Sequence, residues 1–400
     1  MTTPSLHETV GLDISVFQPT INTSTPSYIP NGILIDDTLS KKTTGYSHTI
    51  SAFGGYDSAT INVNYALSKA EDWVDRLGYH IEVYSSALDK IWEGFINKIT
   101  ITAGALSVTR GPLVDIGNRV RVVYSTVDAS ISPPVVGARA RTADIEALGS
   151  QNRYGVIEKA VSVGGVSPAN ALILRNSWIA ENSLPETGQS FNSGSQVTPS
   201  VTLELLGYYH WLKLFLYNDT TFGYREISLI LGDIFADEAA NVNGLYSTDL
   251  SHIVTPAAPV TIKRYMNKDL TAVARVKFCV SYGDANDTRY LFGIYNDRMP
   301  FYDAIPSTIE YTQKITTPRQ DITTSSGTPV APWDIRPGKY VQVLDFLVGA
   351  FTPANFREDP RIGFIESVTY NAPFGFSWTG NKVSTIRQKL SKLGLAGAGV

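Results

Sequence analysis

The sequence is poor in the residues from which many active sites are built. Among 400 residues there are one cysteine, Cys279, and five histidines, His7, His48, His80, His210 and His252. A single thiol excludes an internal disulfide framework and any site made of several thiolates. Its setting, Val276-Lys277-Phe278-Cys279-Val280, predicts a buried, inert side chain. No two histidines stand at the spacing of a metal-binding pair, and HExxH is absent. His80 follows Tyr79, and His210 lies between Tyr209 and Trp211. Aromatic neighbours of this kind predict packed, hydrogen-bonded imidazoles rather than catalytic bases.

Charge is scarce too. Charged residues make up 18% of the chain, and 33 basic against 37 acidic residues leave a net charge of −4. An ordinary domain carries about a quarter charged residues. The clustered basic surface that counterion release requires is missing, so no specific nucleic-acid binding is expected. No run of ~18 apolar residues occurs, which predicts no transmembrane helix. Met1 to Leu12 holds no apolar stretch of the signal-peptide kind.

Catalytic motifs are missing as well. GxSxG, SxxK and GxxxxGK[ST] do not occur, and Gly54-Gly55 reads as a tight turn between strands. Glu181, Glu186, Asp284 and Asp287 are loop carboxylates expected to be solvated, and Gly283 to Thr288 lacks the ligand order of an EF-hand. Lys382, Arg387, Lys389 and Lys392 form a basic run without an acid, read as an amphipathic helix that is solvated or docked on another subunit. The expectation is a non-enzyme with no catalytic, cofactor-binding or metal-binding residues.

What the chain does have is aromatic and β-branched residues in alternation. There are 21 Tyr, 16 Phe and 6 Trp. Ile61, Val63 and Tyr65 alternate with polar residues, as do Ile81 and Val83, Ile99 and Ile101, and Leu106 and Val108. Period-2 alternation marks strands with one buried face. Lys90 to Phe95 fits a strand with a bulge at Gly94, and Ser68 opens a short helical stretch stopped by Gly78.

The pattern divides the chain. Residues 1–30 read as an extended arm, 31–130 as a first β-domain, and 131–199 as a helical insert and linker. The insert is predicted to hold a helix over about 154–163 and a second one starting at Ser167-Pro168, with Ala171, Leu174, Trp178 and Ile179 on one face. Residues 200–309 read as an α+β middle domain with helices near 208–216, 225–236 and 269–282 and a hairpin at Asn296-Asp297. Residues 310–380 return to strands, with Ile362, Phe364, Val368 and Tyr370 on one face, and 381–400 give a last helix and a flexible tail. The fold class is α+β and β-rich.

Three stretches carry a resemblance. One is Gly45 to Ile50 with the Ser58 to Tyr65 strand and Tyr79 to Ile101, including Glu82-Val83-Tyr84 and Ile91-Trp92-Glu93-Gly94-Phe95. Another is Val201 to Phe235 with Leu206-Gly207-Tyr208-Tyr209, continued by Leu270 to Ile305. The last is Trp333 to Tyr340 with its Pro337-Gly338 turn, followed by Phe364 to Val368. In this order they resemble the tail-hub proteins of bacteriophages, which form the base of contractile baseplates, of siphophage tail tips and of the related type VI secretion spike.

The resemblance implies two tube-like β-barrel or sandwich domains flanking the α+β middle domain, with the 135–198 insert outside the common plan. It implies a structural virion protein made in the host cytoplasm. Two similar β-domains per chain let a homotrimer present six, matching a six-fold tail tube to a three-fold spike or fibre. The implied partners are further copies of the chain, a tail tube or distal tail protein, and a spike, fibre or tape-measure protein. A distal-tail or receptor-binding tail protein, and a tail-associated cell-wall hydrolase, are the rival readings.

Overall fold

Alternation of apolar and polar residues sets the first strands: Ile14 and Val16 are fully buried from one side of β1 (Asp13–Asn22). The computed structural model describes residues 11–22, 27–51, 55–128, 135–194, 197–214, 311–314, 322–337, 340–344, 361–372 and 375–381. After β1 come β2 (Ser27–Asp36), β3 (Thr43–Ser51), β4 (Gly55–Asn64), the short helix α1 (Leu67–Ala70), β5 (His80–Tyr84), β6 (Lys90–Gly104) and β7 (Leu106–Arg110). Then follow β8 (Arg119–Asp128), β9 (Val135–Arg141), β10 (Ile145–Glu146), α2 (Leu148–Tyr154), β11 (Glu158–Val166), α3 (Pro168–Asn182), β12 (Thr187–Phe191) and β13 (Val197–Leu206). The last described strands are β14 (Tyr311–Lys314), β15 (Ile322–Thr324), β16 (Tyr340–Leu344), β17 (Ile362–Ala372) and β18 (Gly375–Asn381).

Strand predominates, and most of it belongs to one sheet ordered β15-β14-β16-β17-β3-β4-β13-β6-β5-β1-β2, with β7, β12 and β18 paired at its sides. Among the described strands of this sheet, β14 and β16 are the pair that runs parallel. A single apolar cluster takes Tyr28 from β2, Ile14 from β1, Trp92 and Phe95 from β6, Leu203 from β13, and Tyr370 and Ala372 from β17. Residues from strands far apart in the order thus share one core. β17 lies against β3 in an antiparallel ladder from Ser367↔Ser51 to Ala372↔Tyr46, so the late strands continue the sheet of the early ones.

A second, four-stranded sheet is built on β8, which pairs with β9, β10 and β11. Helix α3 packs over it through Ala171, buried with Val122 and Tyr124. Ser167 caps α3 as its sequence predicts, its Oγ accepting from the Asn170 amide at 3.2 Å, with Pro168 in the first turn. Ala171 and Ile179 are buried, whereas Leu174, expected on the same face, is exposed.

Several expectations are corrected. No helix follows Tyr154 in the segment 154–163: Glu158–Val166 is strand β11, parallel to β8 from Glu158↔Arg119 onward. Its Val161 and Val163 are β-branched and alternate with Ser162, and an apolar run this short fits both periods. The nearby helix is α2, which begins six residues earlier, at Leu148, and ends at Tyr154. The segment 1–30, read as an arm, contributes β1 and the start of β2, and β1 pairs with β5 from Asp13↔Tyr84 to Phe17↔His80.

The end of the 131–199 segment, read as insert and linker, includes β12, which pairs with β7, and the start of β13. Strand β13, assigned from sequence to the opening of the middle domain, runs between β4 and β6 at the centre of the large sheet. Among the described side chains of β17, Ile365, Val368, Tyr370 and Ala372 are buried, whereas Ile362, expected on the face of Val368, is half-buried, with a register shift between Ile365 and Ser367 separating the two. Strand β6 runs through Gly94 without a bulge there. A Cβ at Gly94 would collide with the Leu206 carbonyl of β13, so this glycine permits a close backbone approach.

Ser51 of β3 pairs with Gly55 of β4, and Gly54, expected in the turn between them, lies outside the described residues. His7, His252, Cys279, Asp284, Asp287, the helices expected near 225–236, 269–282 and 383–393, the Asn296-Asp297 hairpin and the basic run from Lys382 lie outside the described residues.

Candidate functional site

The densest polar centre of the described residues lies on β5 and β6, inside an otherwise apolar core. Strand alternation puts His80 and Glu82 on one face of β5, and the register sets Glu82 directly opposite Glu93 of β6. Two carboxylates facing each other across strands repel. Lys90 answers them, its Nζ 3.0 Å from Glu82 and 2.9 Å from Glu93 Oε2. Glu93 and Lys90 are three residues apart, which in a regular strand would place them on opposite faces. A register shift between Val83↔Trp92 and Tyr84↔Lys90 leaves Ile91 unpaired, and this bulge turns Lys90 onto the face of the two acids.

The rest of the centre is ordered by hydrogen bonds. Tyr84 donates to Glu82 Oε2 at 2.5 Å. His80 is fully buried, its Nδ1 2.6 Å from the Tyr208 hydroxyl and its Nε2 3.2 Å from Glu82 Oε1, though too poorly aligned there for a well-formed hydrogen bond. Tyr208 opens the 3-10 helix Tyr208–Leu214 and reaches the centre because Gly207 lets the chain pass against Tyr56. Tyr28 closes the outer side, donating to the Gly78 carbonyl at 2.7 Å. One proton arrangement satisfies these contacts: Tyr208 donates to His80 Nδ1, and His80 Nε2–H faces Glu82.

Burial alone would push the Glu82 carboxyl up. The close His80 ring, the hydrogen bond from Tyr84 and the nearby Lys90 charge outweigh it and hold Glu82 at about 2. For Lys90, burial opposes the charge, but Glu93 and Glu82 raise its ammonium above the ordinary lysine range. Tyr84 and Tyr208 are pushed up, first by burial and then by the neighbouring groups, so both stay neutral. The centre is an ionised glutamate–lysine cluster with neutral phenols around it.

A second histidine marks the seam between the early and late strands. His48 of β3 pairs with Tyr370 of β17, and its Nδ1 is 2.9 Å from the Tyr46 hydroxyl. Burial, with Arg336 nearby, pushes His48 down to about 3. Its ring lies against those of Tyr46 and Tyr370. His210 is partly exposed and bonds Asp57 through Nε2 at 2.8 Å. His48, His80 and His210 are all packed, hydrogen-bonded imidazoles.

Of the carboxylates expected in loops, Glu181 instead lies in the last turn of α3, while Glu186 follows the helix; with Asp115, Pro112 and Asn182 they line a cleft of about 130 Å³. All three carboxylates are exposed. The polar centre on β5 and β6 is what sequence reasoning missed. Its one signal was the occurrence of Glu82 and Glu93 at inward positions of apolar strands. No protein-family model matches the chain, and no similar curated protein is found. No helix among the described residues is long and apolar enough to cross a membrane.

Proposed function

We propose that the chain is a structural virion protein, the hub of a phage tail tip or baseplate, which assembles as a homotrimer and adapts a six-fold tail tube to a three-fold spike or fibre. The observation that carries this reading is the ladder between β17 and β3. A tube wall requires β-domains that adjoin laterally, and here two β regions more than 300 residues apart in the chain are joined edge to edge, as His48 and Tyr370 are. Such a pair of regions from each of three chains would line a six-part ring.

The surface supports the reading as well. Ile33 on β2 and Ile173 on α3 are each 62% exposed, and with few charges on the chain such positions suit coverage by neighbouring subunits or tail proteins. The polar centre supports a structural role: its carboxylates are neutralised by an internal lysine, not left for a substrate. Partners on this reading are the tail tube or distal tail protein on one face and a spike, fibre or tape-measure protein on the other.

Analytical ultracentrifugation of the purified chain, with electron microscopy of tails labelled through an added tag, tests the proposal. A species of three 43.6 kDa chains and label at the tail tip are expected. A monomer at micromolar concentration together with unlabelled tips would overturn it. The cleft of Asp115, Glu181 and Glu186 favours one second reading, a tail-associated hydrolase. Clearing of peptidoglycan in a gel assay, lost in Glu181→Gln, would establish it.

A further inference from the structure

We infer that His80, Glu82 and Glu93 form a divalent-cation site of the zinc class, in which the Lys90 ammonium and a metal ion are mutually exclusive occupants. One imidazole nitrogen and one oxygen from each carboxylate lie within 4.8 Å of one another, and all three residues are buried. Adjacent ligand atoms around tetrahedral zinc, with bonds of about 2.1 Å, stand roughly 3.4 Å apart. His80 Nε2 and Glu82 Oε1 are already at 3.2 Å.

His80 supplies an observation independent of the acids. Its Nε2 is completely buried, lacks a well-formed hydrogen bond and points at the carboxylates, while Nδ1 is anchored on Tyr208. Metal-bound histidines are held in this way, with the second ring nitrogen bonded to an outer partner. Glu82 is held likewise, its other oxygen taken by Tyr84. A cation already stands between the two carboxylates, Lys90 Nζ. Lys90 is the first residue of β6 and keeps 14% of its side chain exposed, so its flexible stem can withdraw toward solvent without breaking the strand. When a metal replaces it, the His80 proton moves to Nδ1 and is donated to the Tyr208 oxygen, and the Tyr208 hydroxyl turns to the Gly94 carbonyl, 3.5 Å away. No net proton is gained or lost at His80 in this exchange.

Zinc titration of the full-length chain, followed by calorimetry against a competing chelator, tests the site. Lys90→Ala is expected to bind one zinc per chain at least tenfold more tightly than the parent protein, and Lys90→Ala/His80→Gln is expected to lose that gain. Lys90→Gln keeps hydrogen-bond donors toward both acids without the charge, so it folds where Lys90→Ala is too costly, and the same tenfold gain is required of it. Affinity in the folded Lys90 variants no higher than in the parent protein, or tight binding that survives His80→Gln, would overturn the inference.

Discussion

Glu82 and Glu93 stand directly opposite each other on neighbouring strands, both inside the core, and the lysine that neutralises them reaches their face because one residue of β6 bulges out of register. Charge, register and irregularity are tied together at this point. Removing any one changes the balance of the others.

Lys90→Ala is therefore expected to destabilise the fold by about 3–5 kcal/mol, the cost of leaving buried charges without a partner. Adding Glu82→Gln and Glu93→Gln should recover much of that loss. Urea unfolding of the single and triple variants, followed by tryptophan fluorescence, measures both.

Tyr208→Phe removes the hydroxyl that meets His80 Nδ1 at 2.6 Å and leaves that nitrogen buried without a partner. A loss of about 1–3 kcal/mol is expected with the fold unchanged. The His80 ring resonances should shift more than those of His48, which lies on β3. Heteronuclear correlation spectra of the histidine side chains report this.

Stability should fall as the solution is acidified from pH 6.5. The folded state holds His48 down to about 3, whereas the unfolded chain takes up the proton near 6.5. Between those values the unfolded state binds more protons, so His48 alone gives a slope of about 1.4 kcal/mol per pH unit. Below pH 4.5 Glu82 adds to it, since its folded value is about 2 and the unfolded carboxyl protonates first. His48→Gln should flatten the profile between pH 6 and about 5. Thermal melts across pH 4–8 decide the matter, and an unchanged slope would contradict the burial of His48.

Gly207→Ala should be among the most damaging small substitutions, because the added methyl would run into the Tyr56 carbonyl of β4. Backbone cannot yield there without shifting the 3-10 helix that carries Tyr208 and Trp211. A loss of about 1–3 kcal/mol or more is expected, with Gly104→Ala, where the space is open but φ is +59°, costing less. Denaturant midpoints of the two variants give the comparison.

Much of the β architecture is legible from alternation alone. Ile61 and Val63, Ile81 and Val83, and Ile99 and Ile101 are buried on the strands where their period places them. Ser167-Pro168 marks the start of α3 because capping chemistry is local. Partner choice between strands is not local. That β13 enters between β4 and β6, and that β17 joins β3, depends on contacts whose sequence spacing leaves no trace. The polar centre was hidden for the same reason. His80, Glu82, Lys90 and Glu93 become one cluster only after the β5–β6 register is fixed and Ile91 is displaced. Segment 154–163 failed differently: its apolar residues satisfy helix and strand periods alike, and the pairing with β8 decided between them.

The β3–β17 ladder has a consequence for synthesis. Thr49 and Thr369 share a hydrogen bond at 3.0 Å across 320 residues of chain, so one side of β3 has no partner from β17 while the intervening chain is being made. During that interval β3 presents open backbone groups, a template on which another nascent chain could pair wrongly. The last strands thus act as a completion signal: a chain stopped before β17 carries a sticky edge, and one carried through to β18 has covered it.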